Sequence, residues 1–127
     1  MPLSADDILK YKNLYLQTAR NYLQNMQLNI SFLLKKEQAE AAVKQVHIDA
    51  HSLKSQSQMM GYNHVAKISE IIEKLFNKRE NENAQVNKDV LIQIQADLSR
   101  LQDSLTEIEK QGKELDLTGV ICKLEKF

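Results

Sequence analysis

The chain reads as all-α, an antiparallel up-down four-helix bundle with a possible short fifth helix at its C-terminal end. Three observations predict this. Apolar residues recur at steps of three and four over four separate stretches, the period of a helix with one buried face. Only 3 Gly and 1 Pro occur in 127 residues, too little turn chemistry for a β architecture or a glycine-rich nucleotide loop. Hydrophobic residues make up 43% of the chain, with 6% aromatics and no Trp, so the core must be aliphatic. Helices that are apolar on one side and joined by short loops close on one another.

Ser4 and Asp7 read as a capping box for the first helix, with Leu3 and Ile8 as its hydrophobic staple. From there Ile8, Tyr11, Tyr15, Ala19, Tyr22, Met26, Ile30 and Leu33 form the buried stripe. Lys35-Lys36-Glu37 marks its end, where basic residues suit the negative pole of the helix dipole. A second helix runs from about Gln38 to Met60 on the line Val43, Val46, Ala50, Leu53, Ser57 and Met60. His47, His51, Lys54, Ser55 and Gln58 lie beside that line, on the flank that faces water. Gly61 is placed to supply a left-handed stop.

Asn63 reads as the cap of a third helix that buries Val65, Ile68, Ile72, Leu75 and Phe76. The polar run from Lys78 to Gln85 reads as a surface loop. Asn87 then caps a fourth helix, with Val86 and Leu91 in staple positions. Its seam, Leu91, Ile94, Leu98, Leu101, Leu105 and Ile108, steps 3-4-3-4-3 up to Gly112. Residues 1–112 are thus expected to form the bundle, and 113–127 a short helix or a linker.

Composition narrows the partners. With 17 basic and 17 acidic residues, the chain carries no electrostatic footprint for nucleic acid or for an anionic membrane. Cys122 is alone, so no disulfide framework or cysteine metal cluster is expected, and a reduced, cytoplasmic setting fits. The N-terminus lacks the basic region and apolar run of a signal peptide, and no apolar stretch approaches the roughly 18 residues of a membrane span. Proteins are the expected partners, and no cofactor is expected in this domain.

The chemistry concentrates in the run His51-Ser52-Leu53-Lys54-Ser55-Gln56-Ser57-Gln58-Met59-Met60-Gly61. Residues at i, i+3 and i+4 share a helix face, so an imidazole, a cation and a small side chain form one patch. His51 lies ten residues before Gly61, or roughly 15 Å of helix; Glu70 and Glu73 lie nine and twelve residues after it, roughly 14 and 18 Å back along an antiparallel partner. Both carboxylates can stand near the height of His51. Glu73 follows the buried Ile72 directly and can reach across. A carboxylate that accepts one ring N–H fixes the tautomer, leaves the other nitrogen free to attack, and stabilises the charge that builds on the ring. Lys54 offers a cation to phosphoryl oxygens, and the small Ser55 leaves the group accessible.

This run resembles the signature of histidine phosphotransfer (HPt) domains: His, a hydrophobic residue at +2, Lys at +3, Gly or Ser at +4 and Gly at +10. Further likeness is to the HPt domain at the N-terminus of the chemotaxis kinase CheA. It lies in YLQTARNYLQNM of the first helix, in Glu73 within IIEKLF, and in VNKDVLIQIQADLSRLQDSL of the fourth. About residues 8–110 are covered. The resemblance implies that His51 is the phosphoacceptor, Lys54 contacts the phosphate and Glu73 hydrogen-bonds the imidazole. It implies as partners an ATP-binding histidine kinase domain and response-regulator receiver domains, with ATP and Mg bound by those partners. A monomeric phosphocarrier is expected, either free-standing or as the phosphoacceptor part of a larger kinase. Two departures stand out: Ser55 where Gly is commonest, and Glu70 where CheA-type domains often carry a second histidine.

The competing readings are plainer. A helical adaptor whose seam mediates oligomerisation would need none of this chemistry. His47 and His51 have the spacing of a helical metal pair, but no third His or Cys is placed to complete a site; His47 is expected to be solvated. His64 reads as surface decoration, Met59 and Met60 as packing residues, and Tyr11, Tyr15 and Tyr22 as core or bundle-edge residues.

Overall fold

A computed structural model describes residues 4–37, 39–82 and 86–127, and of 78–82 the backbone alone. All regular structure among them is helical: α1 (Ala5–Leu34), α2 (Ala39–Met60), α3 (Asn63–Glu82), α4 (Lys88–Gln111) and a short α5 (Thr118–Leu124).

The helix ends follow local chemistry. Ser4 caps α1, its hydroxyl accepting the Asp7 N–H at 3.1 Å, and Asn87 caps α4 by accepting the Asp89 N–H at 2.7 Å. At the end of α2, Gly61 takes φ +81°. Its N–H reaches the Gln58 carbonyl at 3.1 Å, and the Tyr62 N–H reaches the Ser57 carbonyl at 2.9 Å. That pair of bonds closes the helix and reverses the chain. α1 ends the same way on Lys36, a non-glycine residue at φ +61°, with the Glu37 N–H on the Phe32 carbonyl at 2.8 Å. Gly112 ends α4 at φ +76°.

α2 and α3 form the most extensively packed pair, α1 lies against both α2 and α4, and α5 lies on α3. α1 and α4 run in opposite directions: Arg20 pairs with Glu109, while Gln27 donates to the Gln95 carbonyl at 3.3 Å. The α4 seam is fully enclosed, as are Val46, Ala50, Leu53 and Ser57 of α2 and Val65, Ile68, Ile72 and Phe76 of α3.

Several sequence expectations are corrected. Ile8 and Tyr11 do not belong to the buried stripe of α1; both are exposed, whereas Leu16 and Leu23 are buried. Flanked by α2 and α4, α1 buries a stripe wider than a single seam. The Ile8 half of the staple is exposed, and Leu3 lies outside the described residues. The expected loop at Lys78 is helix instead, because α3 continues to Glu82; positions 83–85 are not described. Leu75 is only partly buried at the edge of the core.

His64 is a further one. It is no surface decoration, because its Nδ1 accepts the Leu117 N–H at 2.8 Å. The segment after Gly112 is folded back onto the other helices, with Leu117 and Leu124 in the core cluster. Glu114 of this segment takes the N–H groups of His64 and Val65 at 3.2 and 3.0 Å, so a carboxylate caps the start of α3, the role the sequence assigns to Asn63.

Candidate functional site: the His51 face

α2 and α3 hold the site between them. Ala50 and Leu53 are buried in the α2 core line, which forces His51 out of it by 100° per residue. The His51 side chain is 58% exposed. Across the hairpin, Ile72 anchors α3, and the next residue, Glu73, is turned to the seam with only 15% of its side chain exposed. His51 Nδ1 and Glu73 Oε1 are 2.9 Å apart. Lys54, one turn after His51, places its Nζ 2.8 Å from the other oxygen, Oε2. This second contact is an ion pair rather than a well-directed hydrogen bond.

Burial pushes the Glu73 carboxyl up, but its contacts with Lys54 and His51 outweigh burial and hold it below the ordinary carboxylate range. An ionised carboxylate only accepts hydrogen bonds, so the proton shared with His51 sits on Nδ1. The lone pair is then on Nε2, the nitrogen turned away from Glu73, and no proton has to leave that nitrogen before it attacks. Such an arrangement suits a nucleophile whose tautomer is fixed.

The remaining expected members are placed differently. Ser55 is half-buried on α2. Gly61 is at the turn, where it fixes the register that sets Glu73 against His51. Glu70 is drawn along its own helix: Lys74 Nζ lies 2.9 Å and Lys67 Nζ 3.6 Å from its Oε1. These lysines hold its carboxyl low, the Lys74 hydrogen bond foremost. His47 is half-buried and interacts with its surroundings, not simply solvated. Among the described residues no group of three or more His, Cys, Asp or Glu is placed to hold a metal ion. Met59 is 86% exposed, which overturns its reading as a packing residue. Ile48, also exposed, was not singled out in the sequence, although its position three residues before His51 puts it on the same face.

Behind the site the α2 end is tied to α1. The Tyr15 and Ser57 hydroxyls are 2.8 Å apart in the core, and Gln56 donates to the Tyr22 hydroxyl at 3.0 Å. The Tyr15 ring lies 5.2 Å from that of Tyr62 just beyond Gly61.

An exposed histidine has one ring nitrogen held by a carboxylate from the neighbouring helix and the other open to solvent-side partners. The chain belongs to the Hpt domain family, which matches residues 10–118. No curated protein and no solved structure matches it. Histidine phosphotransfer in two-component signalling is therefore its class of activity, and kinases and receiver domains are the class of partner. Among the described residues no helix is long and apolar enough to cross a membrane.

Proposed function

We propose that His51 is the phosphoacceptor of a chemotaxis-type, CheA-like phosphotransfer domain, built as an antiparallel up-down bundle of the four long helices. The 2.9 Å contact between His51 Nδ1 and Glu73 carries this reading. Nε2 attacks the terminal phosphorus of ATP held by a histidine kinase domain. An N–P bond forms, the bond from phosphorus to the bridging oxygen breaks, and ADP departs with that oxygen. The ring becomes cationic, with its proton still on Nδ1, and the Glu73 carboxylate stabilises that charge. An aspartate carboxylate of a receiver domain then attacks the same phosphorus, the N–P bond breaks, and the electron pair returns to Nε2.

Lys54 acts twice in this scheme. Before transfer it holds Glu73 in place; once the phosphoryl group is on Nε2 it swings to the new anion. Ser55 keeps the approach narrow and unobstructed, and Ile48 and Met59 offer apolar contacts beside it to a docking receiver. ATP and Mg are supplied by the partners. The module is read as a cytoplasmic monomer, and its folded unit as extending past Gly112 to include α5.

The test is incubation with a histidine kinase catalytic domain and labelled ATP, followed by addition of a receiver domain. The reading expects label that is acid-labile and alkali-stable, absent in His51→Gln, and chased onto the receiver. Acid-stable label, or label retained by His51→Gln, contradicts it. A stable dimer in sedimentation, with no phosphorylation, would favour a helical adaptor instead.

A further inference from the structure

We propose that His64 is a proton-operated latch: neutral, it holds the C-terminal strap of residues 113–124 against the other helices, and protonated, it lets that strap go. The strap is fastened at three places. Glu114 caps the start of α3 through the His64 and Val65 N–H groups. The Leu115 N–H donates to Ser104 Oγ at 3.0 Å. The Leu117 N–H donates to His64 Nδ1 at 2.8 Å, and Leu117 itself is 1% exposed. Of these acceptors the imidazole is the kind of group that changes state near neutral pH.

A protonated Nδ1 cannot accept. Two N–H groups then face one another, and the buried Leu117 amide has lost its acceptor. The acidic groups nearby accept other hydrogen bonds as well. Asp116 Oδ1, 3.7 Å from Nδ1, takes the Thr118 N–H at 3.1 Å and hydroxyl at 2.6 Å, and both Glu114 oxygens serve the start of α3.

The charged groups facing the ring come from two elements. From the strap, Glu114 and Asp116 attract a cation, a pull that the lost Leu117 acceptor acts against. From α3, Lys67 one turn on opposes it, but is paired with Glu70. Tyr62 at the α2–α3 turn and Tyr15 on α1 have their hydroxyls pushed up by burial and stay neutral. Release would uncover Leu117 and Leu124, the two strap residues in the core cluster.

Amide hydrogen exchange on the full chain tests this, at about pH 8 and about pH 5, the span over which histidine side chains titrate. Rates are corrected for intrinsic exchange. Protection of the Leu117 and Ile121 amides is expected to fall about tenfold in acid, the scale of one lost hydrogen bond, while that of Leu101 in α4 holds. His64→Asn places a carbonyl oxygen where Nδ1 stands and does not titrate, so the loss is expected to disappear. Unchanged Leu117 protection in the native chain, or the same acid loss in His64→Asn, would overturn the proposal.

Discussion

Replacing Glu73 by Ala removes the group that fixes the His51 tautomer, and the expected effect can be sized from the geometry. The contact is a charge-assisted hydrogen bond of 2.9 Å, a class worth roughly 1.5–3 kcal/mol. His51 is more than half exposed, so water replaces part of what is lost and the lower end applies. At 1.4 kcal/mol per factor of ten, phosphorylation of His51 should slow by about 10- to 30-fold. Glu73→Gln retains an acceptor without the charge and should fall between Ala and the native chain. Stability should change little, by about 1 kcal/mol or less, because Lys54 is freed at a position where water can reach it. The assay is the rate of phosphorylation by phosphoramidate, a small donor that needs no cognate kinase. Nitrogen chemical shifts of the His51 ring, read alongside, report the tautomer. A native rate in Glu73→Ala with an unchanged helical CD signal would refute the reasoning.

Three further outcomes are expected. Asp97 is buried with Oδ2 unpartnered, and burial raises its carboxyl above the usual 3.8, with Gln93 and Lys123 only partly opposing. A raised carboxyl makes ionisation costly to the folded state, so stability falls as pH rises from 3.8 through the folded value. Asp97→Asn should gain about 1 kcal/mol at pH 7, or roughly 3–5 °C in Tm, an advantage that shrinks towards pH 4; identical melting curves at pH 7 would count against it. Tyr15→Phe and Ser57→Ala should each cost about 1–2 kcal/mol by stranding the other hydroxyl, and the double variant less than their sum. Denaturant titrations giving strict additivity would remove that bond from the account. Gly61→Ala meets no atom within 4 Å, so its cost should be the left-handed backbone alone, about 1–2 kcal/mol; a neutral result by thermal melting would contradict this.

How much of this was written in the sequence depends on the range of each interaction. The seams of α2 and α4 were legible because each core residue repeats at helical spacing on one face. α1 was legible only in part. Its seam repeat misses Leu16 and Leu23, which a second neighbouring helix buries. It includes Ile8 and Tyr11 at the end of the helix before the level of Ser57, where α2 is already closing. The approach of Glu73 to His51 could be counted out along a hairpin, since a single glycine turn sets the register. The same counting could not separate Glu70 from Glu73, because height along a helix says nothing of azimuth, and Lys67 and Lys74 decide where Glu70 points. The pairing of Lys54 with Glu73 was hidden for another reason: a lysine one turn from the proposed phosphoacceptor already has an obvious use. His64 and Glu114 were illegible, since the groups they meet lie some fifty residues away and no local pattern marks them. Their one hint was Leu117 and Leu124, spaced to share a helix face in the otherwise ambiguous tail.

The most direct measurement is phosphorus NMR on the chain treated with phosphoramidate, which reports the phosphorylated nitrogen, read beside His51→Gln, which reports the site. A single phosphohistidine signal on Nε2 of His51, lost in acid and absent from His51→Gln, is expected. A signal on His47 or His64, on Nδ1 of His51, or none at all while the helices remain folded, would contradict it.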